Sequence, residues 1–294
     1  MASLKDIKRH ISGVKQTQKL TRAMNMVAAA KLRSTQNRTE RFRRYALEHE
    51  RLIKEIADRS PVEASDLLKT VEGAGKVLIL AITSDRGLCG SFNSNIMSAL
   101  DKFILKKLDE GLSPELFLIG RKGRDYYNRR KVPIHEAMVG ILGSIDYDTA
   151  KAIADELIAD FSSGAYQEIW VLFTCFKSLG RLNVELERFL PLGESTPAGQ
   201  GTILPGGGLD YLVEPKAEVL LSTLLPRSLT ILIYRALLES VTSENAARMQ
   251  AMDNASKSCK DIIESLTMAY NKARQAAVTN ELLDIVNGAE ALKG

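Results

Sequence analysis

The stretch RSLTILIYRALLESVTSENAARMQAMDNASKSCKDIIESLTMAYNKARQAAVTNELLDIVN, Arg227 to Asn287, runs for 61 residues without a glycine or a proline. A stripe of residues alternately three and four apart follows it, the spacing of a coiled-coil seam. The stripe consists of Ile231, Tyr234, Leu238, Val241, Asn245, Arg248, Met252, Ala255, Cys259, Ile262, Leu266, Ala269, Ala273 and Ala276. As a helix the stretch spans ~90 Å, whereas a compact chain of this size has a radius of gyration of ~19 Å. We therefore predict a helix that extends beyond any globular core.

Residues 1–60 are predicted to form a second long helix, because Gly13 is the only helix breaker before Pro61. Its seam is mainly apolar but has polar residues at Gln18, Thr21 and Asn25. The apolar members are Leu4, Ile7, Ile11, Val14, Ala28, Leu32, Phe42, Ala46, Ile53 and Ile56. Two such helices from opposite ends of a chain pair most simply as an antiparallel coiled coil, with residues 215–294 supplying the second helix.

Positive charge is concentrated in the first helix. Residues 1–44 carry twelve Lys or Arg against Asp6 and Glu40, while the whole chain has a net charge of only +4. Such a basic arm predicts an acidic partner. The segment 19–44 also holds Met24, Met26 and Val27, and this apolar patch favours a protein surface. Nucleic acid, bound through its phosphates, is the alternative partner.

The middle of the chain has the pattern of an α/β domain. Short apolar runs bounded by turn residues are typical of buried parallel strands, and they lie at 76–83, 115–120 and 168–176. Helical stretches are predicted at 94–110 and 146–163, and the alternating run 181–190 predicts an added edge strand. The sequence thus predicts an open, Rossmann-like α/β domain over 75–195, followed by a Gly- and Pro-rich segment, 196–214.

Candidate reactive groups do not assemble into a catalytic pattern. TSDRGLCGSFN (83–93) follows a strand and precedes a helix, but it lacks both common phosphate-loop motifs. A tight turn is the preferred interpretation, and a nucleotide-dependent enzyme is the alternative. The segment 120–131 is basic and aromatic, so it is predicted to be a solvated helix face, with nucleic acid again the alternative. Glu281 and Asp284 form an ordinary polar helix face.

Cysteine and histidine usage argues against disulfides and metal sites. Cys89, Cys175 and Cys259 are odd in number and far apart, which is typical of reduced thiols in the cytosol. The three histidines show no metal-ligand spacing with the cysteines or with each other, so neither a metal nor another cofactor is predicted.

Four segments, in this order, resemble the gamma subunit family of the F-type ATP synthase. They are IKRHISGVKQTQKLTRAMNMVAAAKLR (7–33), SDRGLCGSFN (84–93), SENAARMQAMDNAS (243–256) and YNKARQAAVTNELLDIVNGAEA (270–291). The resemblance covers essentially the whole chain. It implies a rotor shaft made of the two terminal helices, turning inside a ring of three alpha and three beta subunits. It also implies that the central domain contacts the epsilon subunit and the c-ring, and that this chain couples rotation to beta without catalysing a reaction itself.

The resemblance also assigns expected contacts. Met24 matches the part of the shaft that faces an acidic lever of beta, and Arg274, Gln275 and Thr279 match positions near a loop of beta. Further matched positions are Glu244 and Arg248, in a polar cluster on the C-terminal helix, and Tyr211 and Glu214, facing epsilon and the c-ring. From the residues themselves, Leu282, Leu283, Ile285 and Val286 are predicted to form an apolar bearing.

Departures from the family pattern are small. Val278 stands where the family signature usually has Ile, and Pro226 predicts a kink or a helix start. The chloroplast family members carry an inserted cysteine pair for redox control, and this chain has no such pair. Because the N-terminus does not look like a transit peptide, the expected location is the cytoplasmic face of a bacterial inner membrane.

Overall fold

The computed structural model describes residues 4–57, 67, 75–130, 132–192 and 217–291. Its first and last elements are long helices, α1 (Leu4–Ala57) and α5 (Ala217–Ala291). Between them the described residues form five strands, three shorter α-helices and a 3-10 helix, Ile141–Gly143. The predicted segment 196–214, with Tyr211 and Glu214, lies outside the described residues.

A five-stranded sheet forms the middle of the chain. In chain order its strands are β1 (Lys76–Ile82), β2 (Ser113–Ile119), β3 (Ile134–Met138), β4 (Glu168–Ser178) and β5 (Arg181–Leu190). Their order in the sheet is β3-β2-β1-β4-β5, and all neighbours are parallel except the antiparallel pair of β4 and β5. The open α/β domain and its added edge strand are therefore confirmed. Strand β3 was not predicted, because its residues are only partly buried and do not form an apolar run.

Strand β1 is buried on both faces, as predicted for a central parallel strand. Leu78, Leu80 and Ile82 belong to one core, together with helix α4 (Tyr147–Ser162) and the N-terminal part of α5. The other face of the strand carries Val77, Ile79 and Ala81 and packs against helix α2 (Phe92–Asp109). Both sides of the sheet are thus covered by helices.

The basic segment 120–131 contains helix α3 (Arg121–Tyr127). Its aromatic residues turn towards α2: Tyr127 is fully buried, and its hydroxyl donates to Asp101 Oδ1 at 2.8 Å. The hydroxyl of Tyr126 donates to Asp101 Oδ2 at 3.0 Å, and Arg130 stacks over the Tyr126 ring at 4.3 Å. The prediction of a solvated helix face is therefore wrong for these tyrosines, since they pack inward rather than facing solvent.

The predicted seam of α1 agrees with the burial along the helix. From Leu4 to His49, each position in the predicted register is buried or half-buried, including Gln18, Thr21 and Asn25. Ala28 and Leu32 are 2% and 5% exposed. The polar residues in this register therefore belong to the packed face of the helix.

The seam of α5 agrees with the prediction as far as Cys259, and beyond it only at Leu266 and Ala273. Beyond it the predicted members Ile262, Ala269 and Ala276 are exposed. The half-buried residues are instead Ile263, Leu266, Tyr270, Ala273 and Ala277. The steps from Ala255 to Cys259 and from Cys259 to Ile263 are both four residues, a stutter in the heptad pattern. It moves every second member of the stripe by one residue, from Ile262, Ala269 and Ala276 to Ile263, Tyr270 and Ala277. A straight helix of 3.6 residues per turn drifts in this direction from a strict 3.5 repeat.

Pro226 lies inside α5, which begins nine residues earlier at Ala217, so the predicted helix start at Pro226 is wrong. The alternative, a kink, stays a prediction. Around the proline the hydroxyls of Ser228 and Thr230 donate to the carbonyls of Leu224 and Pro226, both at 3.0 Å. Each of these bonds runs from a hydroxyl to the carbonyl four residues earlier in the helix.

The chain divides into two compact units. One, called the helix-pair unit, comprises the described parts of Met1–Ala30 and Arg248–Gly294, and the other, the sheet unit, comprises those of Lys31–Ala247. The division falls within α1 and α5 rather than at a linker. Among the described residues, no helix is both long and apolar enough to cross a bilayer.

Candidate functional site

Two side-chain amides fix the register of the helix-pair unit. Asn25 Nδ2 donates to the carbonyl of Met249 at 2.8 Å, and Gln18 Nε2 donates to that of Ser256 at 3.4 Å. As one number rises the other falls, so the two helices run antiparallel, which confirms the predicted coiled coil. The polar interruptions of the α1 seam thus bind the backbone of the opposite helix, which makes a one-turn slip costly.

The outer face of α1 in this unit is apolar and basic. Leu20, Met26 and Val27 are 61%, 61% and 59% exposed, and Lys19 and Arg22 are exposed beside them. Met24 is half-buried, next to the seam residue Asn25. Apolar side chains exposed in a group and rimmed by charge are typical of a protein interaction surface.

The far end of α5 presents a second exposed surface. Arg274, Gln275 and Thr279 are all exposed, and the Thr279 hydroxyl donates to the carbonyl of Gln275 at 2.9 Å. Each described side chain from Val278 to Gly288 is exposed, including that of Val278 at 49% and those of the four residues of the predicted apolar bearing. These are Leu282, Leu283, Ile285 and Val286, exposed by 58%, 53%, 67% and 56%. A helix end that is apolar and uncovered on all sides indicates contact with another chain.

The structure does not bring Met24 and Arg274 together. The bond from Asn25 to Met249 places Met24 opposite the neighbourhood of Gln250. From there to Arg274 is a distance of ~36 Å along α5, at about 1.5 Å per residue. The predicted contacts of the helix-pair unit therefore form two separate surfaces at different heights.

Glu244 and Arg248 differ in their surroundings. Glu244, in the sheet unit, is 9% exposed, and Arg248, in the helix-pair unit, is half-buried. Glu244 belongs to a run of buried polar residues on α5, which continues to Asn245, at 5% exposure. The run also includes Glu239, Ser240, Thr242 and Ser243, each at most 2% exposed.

These buried polar residues bind the overhanging end of β4. The pairing of β4 with β1 stops at Leu172, but β4 continues to Ser178. Beyond the stop, the Thr174 amide donates to Ser240 Oγ at 3.3 Å, and the Ser243 hydroxyl donates to the Thr174 carbonyl at 3.0 Å. The Phe176 amide donates to Glu239 Oε2 at 3.0 Å. Helix side chains thus satisfy backbone groups of β4 that a neighbouring strand would otherwise bind.

Arg43 of α1 completes this contact, which we call the sheet clamp (Arg43, Glu239, Ser240, Ser243 and the backbone of Thr174 and Phe176). Its guanidinium lies 2.5 Å from Glu239 Oε1 and donates to the Phe176 carbonyl at 3.1 Å. Burial lowers the pKa of Arg43, but the hydrogen bond and charge of Glu239 outweigh it, so this pKa lies above its usual value. The clamp joins α1, α5 and the sheet through one charge pair.

A second set of bonds links the two helices within the sheet unit. Arg38 Nε donates to the hydroxyl of Tyr234 at 3.0 Å, and the Arg38 guanidinium also reaches the carbonyl of Ile145 at 2.5 Å. The hydroxyls of Thr39 and Thr242 lie 2.9 Å apart. Two arginines of the basic segment, Arg38 and Arg43, therefore form hydrogen bonds within the chain, and a count of charges does not show this.

The loop 83–93 is a strand-to-helix turn whose polar groups are used internally. The Ser84 amide donates to Asn93 Oδ1 at 2.9 Å, and the carboxylate of Asp85 accepts from the amides of Arg121 and Gly140, both at 3.1 Å. Cys89 is buried, at 2% exposure. These contacts support the tight-turn interpretation over a phosphate-binding loop.

Comparisons with known proteins fit this arrangement. A family profile described as ATP synthase matches residues 3–292. The ATP synthase gamma chain of Syntrophobacter fumaroxidans is 43% identical over 294 residues, with both chains fully covered. That of Geotalea uraniireducens is 41% identical over 295 residues, again with full coverage of both. This chain belongs to the ATP synthase gamma chain family.

Chains from two solved ATP synthase structures share the fold. A chain from the central stalk and c-ring of the Tetrahymena thermophila mitochondrial ATP synthase superposes with a TM-score of 0.60 at 26% identity, covering 81% of this chain and 99% of its own. A chain of the Euglena gracilis mitochondrial ATP synthase gives a TM-score of 0.67 at 17% identity, covering 98% and 94%, which bears on the fold alone. The family predicted from the four sequence segments is confirmed.

Proposed function

We propose that this chain is the non-catalytic central shaft of a proton-translocating ATP synthase. It couples rotation of a c-ring to successive conformational changes at three catalytic beta subunits. The observation that carries the proposal is the exposed apolar helix end, Val278 to Gly288, in a member of the gamma chain family. Such an end needs a surrounding protein sleeve to cover it.

The two exposed surfaces of the helix-pair unit are the proposed contacts with beta. The apolar contact area comes from Leu20, Met26 and Val27. The exposed cations Lys19 and Arg22 attract an acidic surface of the partner, so charge guides the association and no deep binding pocket is needed. Met24 lies beside this strip. At the other height, Arg274, Gln275 and Thr279 project outward. A shaft that stabilises each beta conformation to a different extent at each angle shifts their populations in turn.

The sheet clamp is the proposed path for torque between the sheet and the helices. It attaches the overhang of β4 to both α1 and α5 through four backbone hydrogen bonds and one ion pair. Glu244 and Arg248 follow the clamp along α5 and are proposed as further contacts with beta. Tyr211 and Glu214 are proposed to face epsilon and the c-ring, as the family resemblance implies.

A non-catalytic role is supported by the loop 83–93, the strand-end loop that a nucleotide enzyme of this fold would use. Its polar groups bind within the chain, so a phosphate would have to displace them. We place the complex at the cytoplasmic face of a bacterial inner membrane, because the relatives with full coverage are bacterial. The chain itself is proposed to be peripheral, with alpha, beta, epsilon and the c-ring as partners.

Reconstitution with alpha and beta subunits tests the proposal. We expect a complex with one copy of this chain per three alpha–beta pairs, measured by native mass spectrometry. We also expect multi-site ATP hydrolysis to fall when Arg274 and Gln275 are both changed to Ala. Lys260→Ala is the matched control, since this exposed cation of the same helix lies outside the proposed contacts and its side chain is 70% exposed.

The outcomes separate the shaft from its individual contacts. Failure to form the complex overturns the shaft, and binding of the chain to duplex DNA with a steep salt dependence would then favour the nucleic-acid alternative. Complex formation with unchanged turnover in the double variant overturns the roles of Arg274 and Gln275 only. ATP turnover by the chain alone contradicts the non-catalytic role.

A further inference from the structure

Three side chains with metal-binding atoms converge at the edge of the sheet unit. They are His135 on β3, and Glu156 and Asp160 on α4, and one ligand atom from each lies within 4.8 Å of the others. Glu156 and Asp160 are four residues apart, so they project from the same face of α4. The sequence contains no metal-ligand motif at this group, because its members come from separate elements.

A β-bulge aims His135 at the helix. Leu116 pairs with Ile134 and Phe117 with Glu136, so His135 is the extra residue where the register of β2 and β3 shifts. A bulge redirects the side chain of its extra residue. The imidazole Nε2 consequently lies 3.1 Å from Asp160 Oδ2 and 3.9 Å from Glu156 Oε1.

A hydrogen-bond chain on the other side of the ring sets the tautomer of His135. The Tyr166 hydroxyl donates its only proton to Glu115 Oε2 at 2.6 Å. Glu115 is the acceptor because it is an ion-paired carboxylate, whose other oxygen accepts from Lys76 Nζ at 2.7 Å. Tyr166 must therefore accept from His135 Nδ1, which lies 3.1 Å away. In the neutral imidazole, Nε2 then carries a lone pair rather than a proton.

That lone pair faces carboxylate oxygens, an arrangement that needs a positive centre between them. Asp160 Oδ2 is buried and accepts no hydrogen bond from any described residue, although Nε2 is only 3.1 Å away. A proton on Nε2 would thus not point at this oxygen.

We propose that His135, Glu156 and Asp160 bind a divalent first-row transition cation, with Zn²⁺ as the preferred ion. One imidazole nitrogen and two carboxylate oxygens are a donor set that suits zinc, and three protein ligands leave a position for water. Mg²⁺ and Ca²⁺ are disfavoured because they prefer oxygen ligands alone. Tyr166 and Glu115 act as positioning residues that hold the imidazole with Nε2 facing the metal. This site does not depend on the proposed shaft function.

The alternative occupant is a proton, which would make His135 an imidazolium paired with Asp160. The two alternatives differ in whether the chain binds a metal ion from solution. A proton pair needs no metal and gives no stoichiometric binding. The cation site gives saturable binding that depends on His135 and on the bond from Tyr166.

The test measures Zn²⁺ binding by equilibrium dialysis of the untagged full-length chain, with metal counted by mass spectrometry. Co²⁺ absorption in the visible range reports coordination, and excess Mg²⁺ serves as competitor. The variants are His135→Gln, Asp160→Asn and Tyr166→Phe, each checked for folding by circular dichroism. His10→Gln is the matched control, because it removes an exposed histidine far from the cluster in sequence.

We expect one equivalent of Zn²⁺ that Mg²⁺ does not displace, and the same binding in His10→Gln. We expect Tyr166→Phe to bind about 10–100-fold more weakly, the usual effect of losing an outer-shell partner, and His135→Gln to bind at least as weakly as that. Equal binding by wild type and His135→Gln, or no stoichiometric binding by wild type, overturns the proposal. If His135→Gln does not fold, unaltered binding by both Asp160→Asn and Tyr166→Phe overturns it equally.

Discussion

At the scale of single residues, Glu239 is a buried carboxylate that depends on its partners. Only 2% of its side chain is exposed, and it accepts from both Arg43 and the Phe176 amide. A buried charge of this kind is stable only while it is paired, since its desolvation is not otherwise compensated. The sheet clamp therefore depends on Arg43, a residue that lies 196 positions away in sequence.

Replacing Arg43 by Met is expected to destabilise the sheet unit. Loss of one partner of a fully buried pair costs about 3–5 kcal/mol, and since 37% of the Arg43 side chain is exposed we expect about 2–3 kcal/mol here. Urea unfolding of the full-length chain measures the loss. The double variant Arg43→Met, Glu239→Gln should recover part of it, and a double variant less stable than Arg43→Met alone would contradict this account.

Gly120 marks a position where the backbone leaves no room for a side chain. Its φ is +100°, and an added Cβ would lie 2.1 Å from the Thr83 carbonyl oxygen. We expect Gly120→Ala to lower the melting temperature sharply or to prevent folding. Gly143→Ala is the control, since its Cβ would meet nothing within 4 Å. Similar melting temperatures for the two variants would show that the backbone yields at Gly120.

Glu168 is expected to make the folding stability of the chain depend on pH in the acidic range. Burial raises its pKa, but hydrogen bonds from Lys107 and Trp170, at 2.7 and 2.8 Å, outweigh burial and lower it below its usual value. A lowered folded-state pKa adds stability that is present above the unfolded-state pKa and is lost as the pH falls through the folded-state pKa. We expect urea unfolding of Glu168→Gln to vary less with pH below 4.5, the ordinary value for Glu, than that of wild type. An identical pH dependence would contradict the assignment.

At the scale of elements, the stutter in α5 decides which isoleucine is packed. Ile263 is half-buried, whereas Ile262 is 44% exposed. We expect Ile263→Ala to destabilise the helix-pair unit by about 1–2 kcal/mol, since part of its apolar surface loses cover. Ile262→Ala should cost less, which makes it the matched control, and helix loss followed by circular dichroism compares the two. A larger effect at Ile262 would restore the unbroken heptad register predicted from sequence.

The secondary-structure elements also differ in how well the sequence pattern predicts them. Strands β1, β2, β4 and β5 follow from runs or alternations of apolar residues, because burial on one or both faces imposes those patterns. Strand β3 at the edge is only partly covered, and α3 has seven residues, so neither shows a strong period. The seam of α1 was predictable because the same 3–4 spacing persists from Leu4 to His49.

At the scale of the whole molecule, the end of α5 contributes contact surface rather than stability. The described side chains from Val278 to Gly288 are exposed, so their removal takes away little buried apolar surface. We expect a chain ending at Thr279 to keep the melting temperature of wild type within about 2 °C, roughly the change that a 1 kcal/mol loss causes in a chain of this size.

The same truncation is expected to lower ATP turnover in the reconstituted complex with alpha and beta, because the apolar bearing is missing. The control is a chain carrying Lys260→Ala, which keeps that end intact. A truncated chain that loses stability would show that the end packs on the chain itself. Full turnover in the complex would remove the bearing from the proposed mechanism.

The sequence by itself determined the two long helices, their antiparallel pairing, the α/β core and the family. These features follow from local periods, from the absence of Gly and Pro over long stretches, and from contiguous motifs, all of which are written along one strand of chain. Arg274, Gln275 and Thr279 were named through the family resemblance, and the structure shows all three to be exposed.

Only the tertiary structure decided which polar groups meet. Arg43 reaches Glu239 because β4 overhangs β1, and that overhang depends on where strand pairing stops. His135 reaches Asp160 because a bulge turns one residue of β3 towards α4. Hydrogen bonds and charge pairs act over a few ångströms, so they depend on the relative placement of elements distant in sequence, and no local period records that placement.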